Sequence, residues 1–308
     1  MYCPCLNEIK TEKVSSIGQL IDFIGTIKKK NNENCLYFRG ENNDFGASAF
    51  QPSIYRKYSV LNQENVLYRE MQRFNEHEFH TDRTAIDKLA RMQHYNSPTR
   101  LIDISEDILS ATYFALENKG SDNCGVVYIV EIDEKKIKYY DSDAVSVIAN
   151  LAKLPLVSNV NQKSKKEVGR SAYKFLNDLK KFNEEDSVKF LLHEIKEEKS
   201  YFESIIDPEH IFSIQCVRPK YNNLRLHTQK GAFLLFGLNK HDAERSIDFI
   251  HEIDEKLFIN NTDNHPIVKI HKVILDNKIE LKDVEKLGVT LPYIYPEIDR
   301  VGNYLKQK

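Results

Sequence analysis

Two repeating patterns of hydrophobic and polar positions occur along this chain. Ile17, Leu20, Ile21 and Ile24 recur on one helical face and predict a helix over residues 15–30. Short runs rich in β-branched and aromatic residues predict buried strands. These runs are CLYFR at 35–39, RLIDI at 100–104, CGVVYIVEI at 124–132, IFSIQCV at 211–217, AFLLFGL at 232–238 and PIVKIHKVIL at 266–275. The two patterns together predict an α+β fold with a mixed or antiparallel central sheet flanked by helices.

A polar and charged segment over residues 134–208 separates two groups of predicted strands. Its periodic stretches indicate helices, and clear strand signals resume only near residue 210. We interpret it as a helical insertion or lid within a core of residues 35–240. An N-terminal helical segment of residues 1–34 precedes that core. A C-terminal extension of residues 241–308 follows it, and begins with a predicted helix over 241–258.

The most specific stretch of the chain covers residues 89–118. A helix is predicted to end before Pro98, because proline disfavours the helical conformation of the residue before it. The apolar run to Ile104 then predicts one short strand. Ser105 follows at a position suited to the N-cap of a second helix, with acidic residues next to it.

Composition limits the classes of function. The 308 residues are 41% hydrophobic and 29% charged, and 44 basic and 46 acidic residues give a net charge of −2. This balance gives no general nucleic-acid footprint. No run approaches the roughly 18 apolar residues needed to cross a membrane, so we expect no membrane partner. The ten histidines show no metal-binding spacing, and we predict no metal. Scattered cysteines and the absence of a secretory signal indicate a reducing compartment. Abundant Lys, Asn and Ile and the absence of Trp then favour a bacterial cytoplasm.

Four blocks of residues resemble the FRG domain family. They are Phe38-Arg39-Gly40, the stretch His94–Leu116, Arg225 with Gln229–Phe233, and Leu287-Gly288-Val289 with Tyr295-Pro296-Glu297. The blocks occur in the family's order over about residues 35–300. The chain departs from the family pattern at Asn96, where glycine is usual, and at Ile104, where tryptophan is usual.

A more remote resemblance is to ADP-ribosyltransferases, and it implies a core of that type. The order Arg39, Ser105, Gln229 is similar to their Arg-Ser-Glu layout. The resemblance implies that Arg39 holds the phosphates of NAD and that Ser105 supports the nicotinamide side. Gln229 would take the position of the catalytic acid, and it keeps the hydrogen bond but lacks the charge. Glu70 and Asp103 are alternative acids.

Several residues are candidates for ligand binding. They are Arg39, Gly40, His94, Tyr95, Arg100 and Ser105. A guanidinium beside a glycine suits a phosphate or carboxylate, although Arg39 could equally bond loop carbonyls. His94 could donate to a ligand or be a bonded core histidine, and Ser105 could be only a helix cap. Asp103 could orient Arg39 or Arg100 through a salt bridge.

Three possibilities remain open at this point, and the last of them is a scaffold in which Arg39 only ties loops together. The first is an NAD-dependent, ADP-ribosyltransferase-like enzyme that modifies a macromolecular acceptor, as a bacterial toxin or phage-defence effector would. The second is a catalytically silent module that binds a nucleotide or a protein. The observation that separates them is whether Arg39, Ser105 and Gln229 meet in one pocket.

Overall fold

The computed structural model describes residues 11–30, 33–120, 123–157, 163–239 and 266–306. The strands in these ranges are β1 (Thr11–Val14), β2 (Asn34–Glu41), β3 (Leu101–Ser105), β4 (Val126–Asp133), β5 (Lys138–Tyr139), β6 (Ile214–Arg218), β7 (Gly231–Phe236) and β8 (Ile267–Leu275). The helices are α1 (Ile17–Lys30), α2 (Tyr58–Leu61), α3 (Glu64–Phe74), α4 (Glu76–Phe79), α5 (Ala85–His94), α6 (Ile108–Leu116), α7 (Asp143–Asn150), α8 (Lys165–Lys174), α9 (Leu179–Glu184), α10 (Asp186–Glu198), α11 (Pro208–Phe212), α12 (Leu224–Thr228), α13 (Leu281–Glu285), α14 (Leu291–Ile294) and α15 (Ile298–Lys306).

All eight strands belong to one mixed sheet. Their order is β1-β8-β4-β2-β3-β7-β6-β5, and β2 and β3 lie at its centre. The inner pairs are antiparallel, whereas β1 pairs with β8 and β5 with β6 in parallel. This confirms the predicted α+β class with a mixed sheet.

Helices cover one face of the sheet, which we call the outer face, in two groups. The first group is α1, α6 and the C-terminal elements, which pack on Phe38 and Val127. The second group is α3, α5, α7 and α12, which pack on Leu101 and Phe233. These strand residues are buried and alternate with residues that point to the opposite side.

We call the opposite face of the sheet the inner face. On this face the Tyr37 hydroxyl of β2 accepts from Nε of Arg218 on β6 at 3.2 Å, although two strands separate β2 from β6. Residues 46–56 cover the inner face and insert Ala49 and Phe50 against its apolar side chains.

The structure adds strands and core contacts to the predicted segments, and their division into domains stays a prediction. The N-terminal segment contributes the strand β1 as well as a helix. The segment 134–208 supplies β5, and its helix α7 packs Val145 and Ile148 against the sheet, so this part of it belongs to the core. A two-residue strand is too short to leave a periodic signal. The helix predicted over 241–258 lies outside the described residues. No described helix is long and apolar enough to cross a membrane.

Candidate functional site

Asp103 is an exposed carboxylate on a central strand. It pairs with Phe233 of β7 and therefore faces the outer side of the sheet. Its neighbours on that face, Leu101 and Phe233, are each only 1% exposed. Asp103 is exposed because the two groups of helices separate above it, one group resting on Phe38 and the other on Leu101. A charged side chain in an otherwise apolar strand marks this gap as a candidate site.

A hydrogen-bond relay that starts from a buried threonine holds the Asp103 carboxylate in place. The hydroxyl of Thr99, which is 0% exposed, donates to Oε1 of Gln93 at 2.6 Å. This bond orients the Gln93 amide so that its Nε2 donates to Oδ2 of Asp103 at 2.7 Å. Oδ1 of Asp103 has no hydrogen bond to any described residue. The carboxylate is thus fixed on one side and available to a ligand on the other.

His94 lies beside Asp103 and is paired with a carboxylate. Its Nε2 is 3.0 Å from Oε1 of Glu297. Burial and the nearby Arg225 guanidinium lower the pKa of His94, against the opposing effect of Glu297, so the imidazole is neutral at pH 7. A neutral imidazole that donates from Nε2 to Glu297 leaves Nδ1 as an acceptor. The neighbouring Tyr95 is exposed and donates its hydroxyl to Glu78 at 3.0 Å.

Arg225 adds a positive charge to the same place. Its Nη1 donates to the backbone carbonyl of His94 at 3.3 Å, and its guanidinium lies 4.8 Å from the centre of the Tyr295 ring. Within the described ranges it forms no ion pair. We define the Asp103 cluster as Gln93, His94, Asp103, Arg225 and Glu297. It combines two carboxylates, a neutral imidazole, an amide and a guanidinium that has no ion pair within the described ranges.

Ser105 and Gln229 are in contact, but their polar groups bond to the protein. The Ser105 hydroxyl donates to the backbone carbonyl of Gln229 at 2.6 Å and accepts from the Asp107 amide at 2.8 Å. The Gln229 side chain donates from Nε2 to the carbonyl of Ile294 at 2.9 Å. A glutamate at 229 would place an acceptor against that carbonyl, so the position suits an amide.

Ser105 is not the N-cap of α6, contrary to the sequence interpretation. It is the last residue of β3, and the cap is Asp107, which accepts from the amides of Leu109 and Ser110, each at 3.1 Å. The Asp107 carboxylate lies closer to these free amides because the strand continues through Ser105.

Replacing Asp107 by alanine should therefore lower the free energy of unfolding by about 1 kcal/mol, the usual cost of a lost cap. Asp107→Ser should recover most of this loss, because a hydroxyl also caps helices. Urea unfolding of both variants measures the difference. Equal losses in the two variants would argue against a capping role.

The structure does not bring Arg39 together with Ser105 and Gln229. Phe38 pairs with Ser105 on the outer face, so the next residue, Arg39, points to the inner face. Its Nε donates to the Ala49 carbonyl at 3.0 Å and its Nη1 to the Asp103 carbonyl at 2.9 Å, while Nη2 pairs with Glu41. These partners tie the segment 46–56 to the sheet. β2 extends two residues beyond its predicted end, which places Arg39 within a strand.

Gly40 and Arg100 also contact other parts of the protein and have structural roles. Gly40 does not open a turn: it lies in β2 against the backbone of α6, where an added Cβ would be 1.7 Å from the carbonyl oxygen of Ala111. Arg100 is 0% exposed and pairs with Glu64, with Nη2 and Oε2 2.6 Å apart. The Asp103 carboxylate contacts neither the Arg39 nor the Arg100 side chain. It accepts a hydrogen bond from Gln93 instead.

Comparison with protein families gives a match over part of the chain. The family model of the FRG domain matches residues 34–124. The chain contains an FRG domain. No curated protein and no solved structure matches the chain. The match covers β2, β3 and α6, and thus both the Phe38-Arg39-Gly40 tripeptide and Asp103. Arg225 and Glu297 come from beyond the matched residues and complete the cluster around the FRG domain.

Sequence reasoning named most residues of the cluster but did not assign their roles. Arg225 and Glu297 lay in motif blocks, and Asp103 was treated mainly as a partner for an arginine. The available signal was the aspartate itself, a charged residue interrupting the apolar run RLIDI. No group of three or more His, Cys, Asp or Glu side chains in the described ranges could hold a metal ion. The absence of a metal stays a prediction.

Proposed function

We propose that this FRG domain binds NAD at the Asp103 cluster and cleaves the bond between nicotinamide and ribose, in the manner of ADP-ribosyltransferases. The observation that carries the proposal is Asp103, a carboxylate on a central strand that the relay from Thr99 through Gln93 holds with one oxygen free. Asp103 then takes the role that the sequence comparison gave to Gln229, and Arg225 replaces Arg39 as the cation for the dinucleotide phosphates.

The chemistry uses charges that the cluster already holds in position. When the C1′–N bond breaks, nicotinamide leaves with the electron pair and positive charge develops on the ribose. A fixed carboxylate stabilises that charge at little cost in reorganisation. The acceptor then attacks C1′ and loses a proton, for which His94 Nδ1 is the available acceptor. A macromolecular acceptor in a bacterial cytoplasm would suit a toxin or a phage-defence effector.

A second candidate function is a catalytically silent module that binds a nucleotide or a protein. The surroundings of Arg39 and Gln229 favour it, because the polar groups of both residues bond to the protein itself. Such a module would bind NAD at the cluster without cleaving it, or would bind a protein partner there.

The test is nicotinamide release by the purified protein, with and without cell lysate as the source of acceptor. Replacing Asp103 by asparagine removes the charge but keeps an acceptor for Gln93. We expect it to lower the release rate by about 100-fold or more, the effect typical of losing one preorganised electrostatic group. NAD binding, measured by calorimetry, should weaken much less because Arg225 is retained.

Glu106→Gln is the matched control. Glu106 is also a partly exposed carboxylate after β3, but it pairs with Arg218 and Tyr37 on the inner face. Its loss should leave nicotinamide release unchanged. Saturable NAD binding that needs Arg225, without release, would support the silent module. A folded protein that neither binds nor cleaves NAD would overturn both nucleotide functions.

A further inference from the structure

A cavity of about 380 Å³ lies away from the Asp103 cluster, between α3, the segment Leu151–Lys153 and α10. This volume is within the range of small-molecule sites. It is lined by Tyr68, Arg69, Gln72, Arg73, Lys153 and Glu194. Three of these six side chains are basic and one is acidic, which favours an anionic ligand.

The basic side chains of this cavity differ in how closely a carboxylate neutralises their charge. Arg73 forms a close ion pair with Glu70. Lys153 is 3.5 Å from Glu198 and 3.8 Å from Glu194, and its direct hydrogen bond goes to the Glu194 backbone carbonyl at 3.1 Å. The Glu198 carboxylate also accepts hydrogen bonds from the Asn150 side-chain amide at 2.8 Å and from the Ala85 backbone amide at 2.7 Å. The two nearby carboxylates therefore compensate the charge of Lys153.

Arg69 has no acidic partner in the described part of the chain. Its Nη1 donates to the carbonyls of Asn65 and Lys153, at 3.1 and 2.9 Å. The hydrogen bond to the Lys153 carbonyl brings the Arg69 side chain next to the backbone that carries Lys153. Nε and Nη2 of Arg69 have no hydrogen bond to a described residue. Two donors in the fixed fork of a guanidinium suit the oxygens of a phosphate group.

A second observation at the same wall is the Tyr68 hydroxyl. Tyr68 lines the cavity and is 3% exposed, and its hydroxyl has no hydrogen-bond partner among the described residues. Burying a hydroxyl without a partner costs free energy, so such groups are rare in folded proteins. The hydroxyl itself is buried, so a ligand oxygen in the cavity could accept from it only after the Tyr68 ring turns toward the cavity.

From these contacts we infer that the cavity is a second ligand site, which takes the phosphate group of a small molecule. Arg69 would bind two of its oxygens, and the Tyr68 hydroxyl would donate a hydrogen bond. Glu194 limits the site to ligands that do not place a second anion beside it. The inference is independent of NAD cleavage.

The test is calorimetric titration of the whole chain with inorganic phosphate and with ribose 5-phosphate, at constant ionic strength set with sodium chloride. Arg69→Gln should weaken binding about tenfold or more, because it removes a charged hydrogen-bond donor. Tyr68→Phe should weaken it several-fold and leave stability unchanged or higher, since the hydroxyl bonds to no described residue. Arg83→Gln is the control, an exposed arginine outside the cavity.

The results distinguish inorganic phosphate from a phosphorylated small molecule as the ligand, and they can also show that there is no phosphate site here. Tighter binding of ribose 5-phosphate than of phosphate would assign the cavity to phosphorylated small molecules. Equal binding would assign it to the free ion or to the phosphate group alone. If neither probe binds saturably, or if Arg83→Gln weakens binding as much as Arg69→Gln, the site does not exist. Tyr68→Phe remains informative if Arg69→Gln fails to fold.

Discussion

Replacing Gly40 by alanine is expected to unfold the FRG domain under conditions where the wild type is stable. An alanine Cβ at this position would lie 1.7 Å from the Ala111 carbonyl oxygen and 2.8 Å from the Ala115 amide nitrogen. Both contacts are with the backbone of α6, so no side-chain rotation can relieve them. β2 and α6 would have to separate, which disrupts the apolar cluster between them. We expect a loss of several kcal/mol, as for severe overpacking in a core.

Gly25→Ala is the matched control for this prediction. Gly25 lies within α1, and an added Cβ there would meet nothing within 4 Å. Alanine should stabilise this helix by up to about 1 kcal/mol, because glycine is a poor helix former. Urea unfolding of the two variants gives opposite signs if packing decides the result. A Gly40→Ala protein that loses less than about 1 kcal/mol would refute the close approach of α6 to β2.

The Phe38-Arg39-Gly40 tripeptide therefore acts here as a packing motif. Phe38 fills the outer-face core, Gly40 lets α6 approach the sheet, and Arg39 ties the segment 46–56 to the inner face. The three residues use both faces of one strand. Their surroundings explain why this block does not itself line the Asp103 cluster, although it lies on the neighbouring strand.

The sequence predicted the sheet better than the site. Buried strands such as Val126–Asp133 are apolar on both faces and leave a clear signal, so the α+β class followed from the pattern. Strand ends carry less signal: β2 continues through Gly40, and Pro208 begins a helix where a strand was predicted to start at 211. The face of Arg39 follows from the alternation of side chains along β2, because the preceding residue Phe38 packs on the outer face.

Long-range partners were the part that no local pattern could predict. Arg100 was assigned to ligand binding, but its carboxylate partner Glu64 lies 36 residues earlier, at the start of α3. The relay from Thr99 through Gln93 to Asp103 spans a helix end, a turn and a strand. His94 and Glu297 meet only when the C-terminal segment packs against the core. Such contacts depend on the tertiary fold.

A buried group of two cations and one anion provides the second large effect. Glu64 pairs with Arg100 and with Lys165, and these three residues are at most 1% exposed. Burial alone would raise the pKa of Glu64, but Arg100 and Lys165 lower it to about 2, so the carboxylate is ionised. The group therefore holds one uncompensated positive charge in the core. Removing its single anion should consequently cost more stability than removing one of its two cations.

Glu64→Gln should be far more damaging than Lys165→Met. The first change leaves two buried cations without an anion, and we expect it to cost about 3–5 kcal/mol, as for a broken buried ion pair. The second leaves Arg100 and Glu64 as a balanced pair that bonds through two contacts, of 2.8 and 2.6 Å. Its cost should be below about 1 kcal/mol, because methionine fills a similar volume without a charge to desolvate. Urea unfolding at pH 7 measures both losses.

The pH dependence of stability gives a second measurement on the same group. Burial lowers the pKa of Lys165 to about 8, against the opposing effect of Glu64, whereas an unfolded lysine titrates near 10.5. Between these values the unfolded chain binds the proton that the native protein has lost, so Lys165 contributes stability that increases with pH. The wild type should therefore gain stability relative to Lys165→Met from pH 8 to pH 10, by about 1 kcal/mol per pH unit at most. A difference between the two proteins that is constant over this range would show that Lys165 is not buried as a cation beside Glu64.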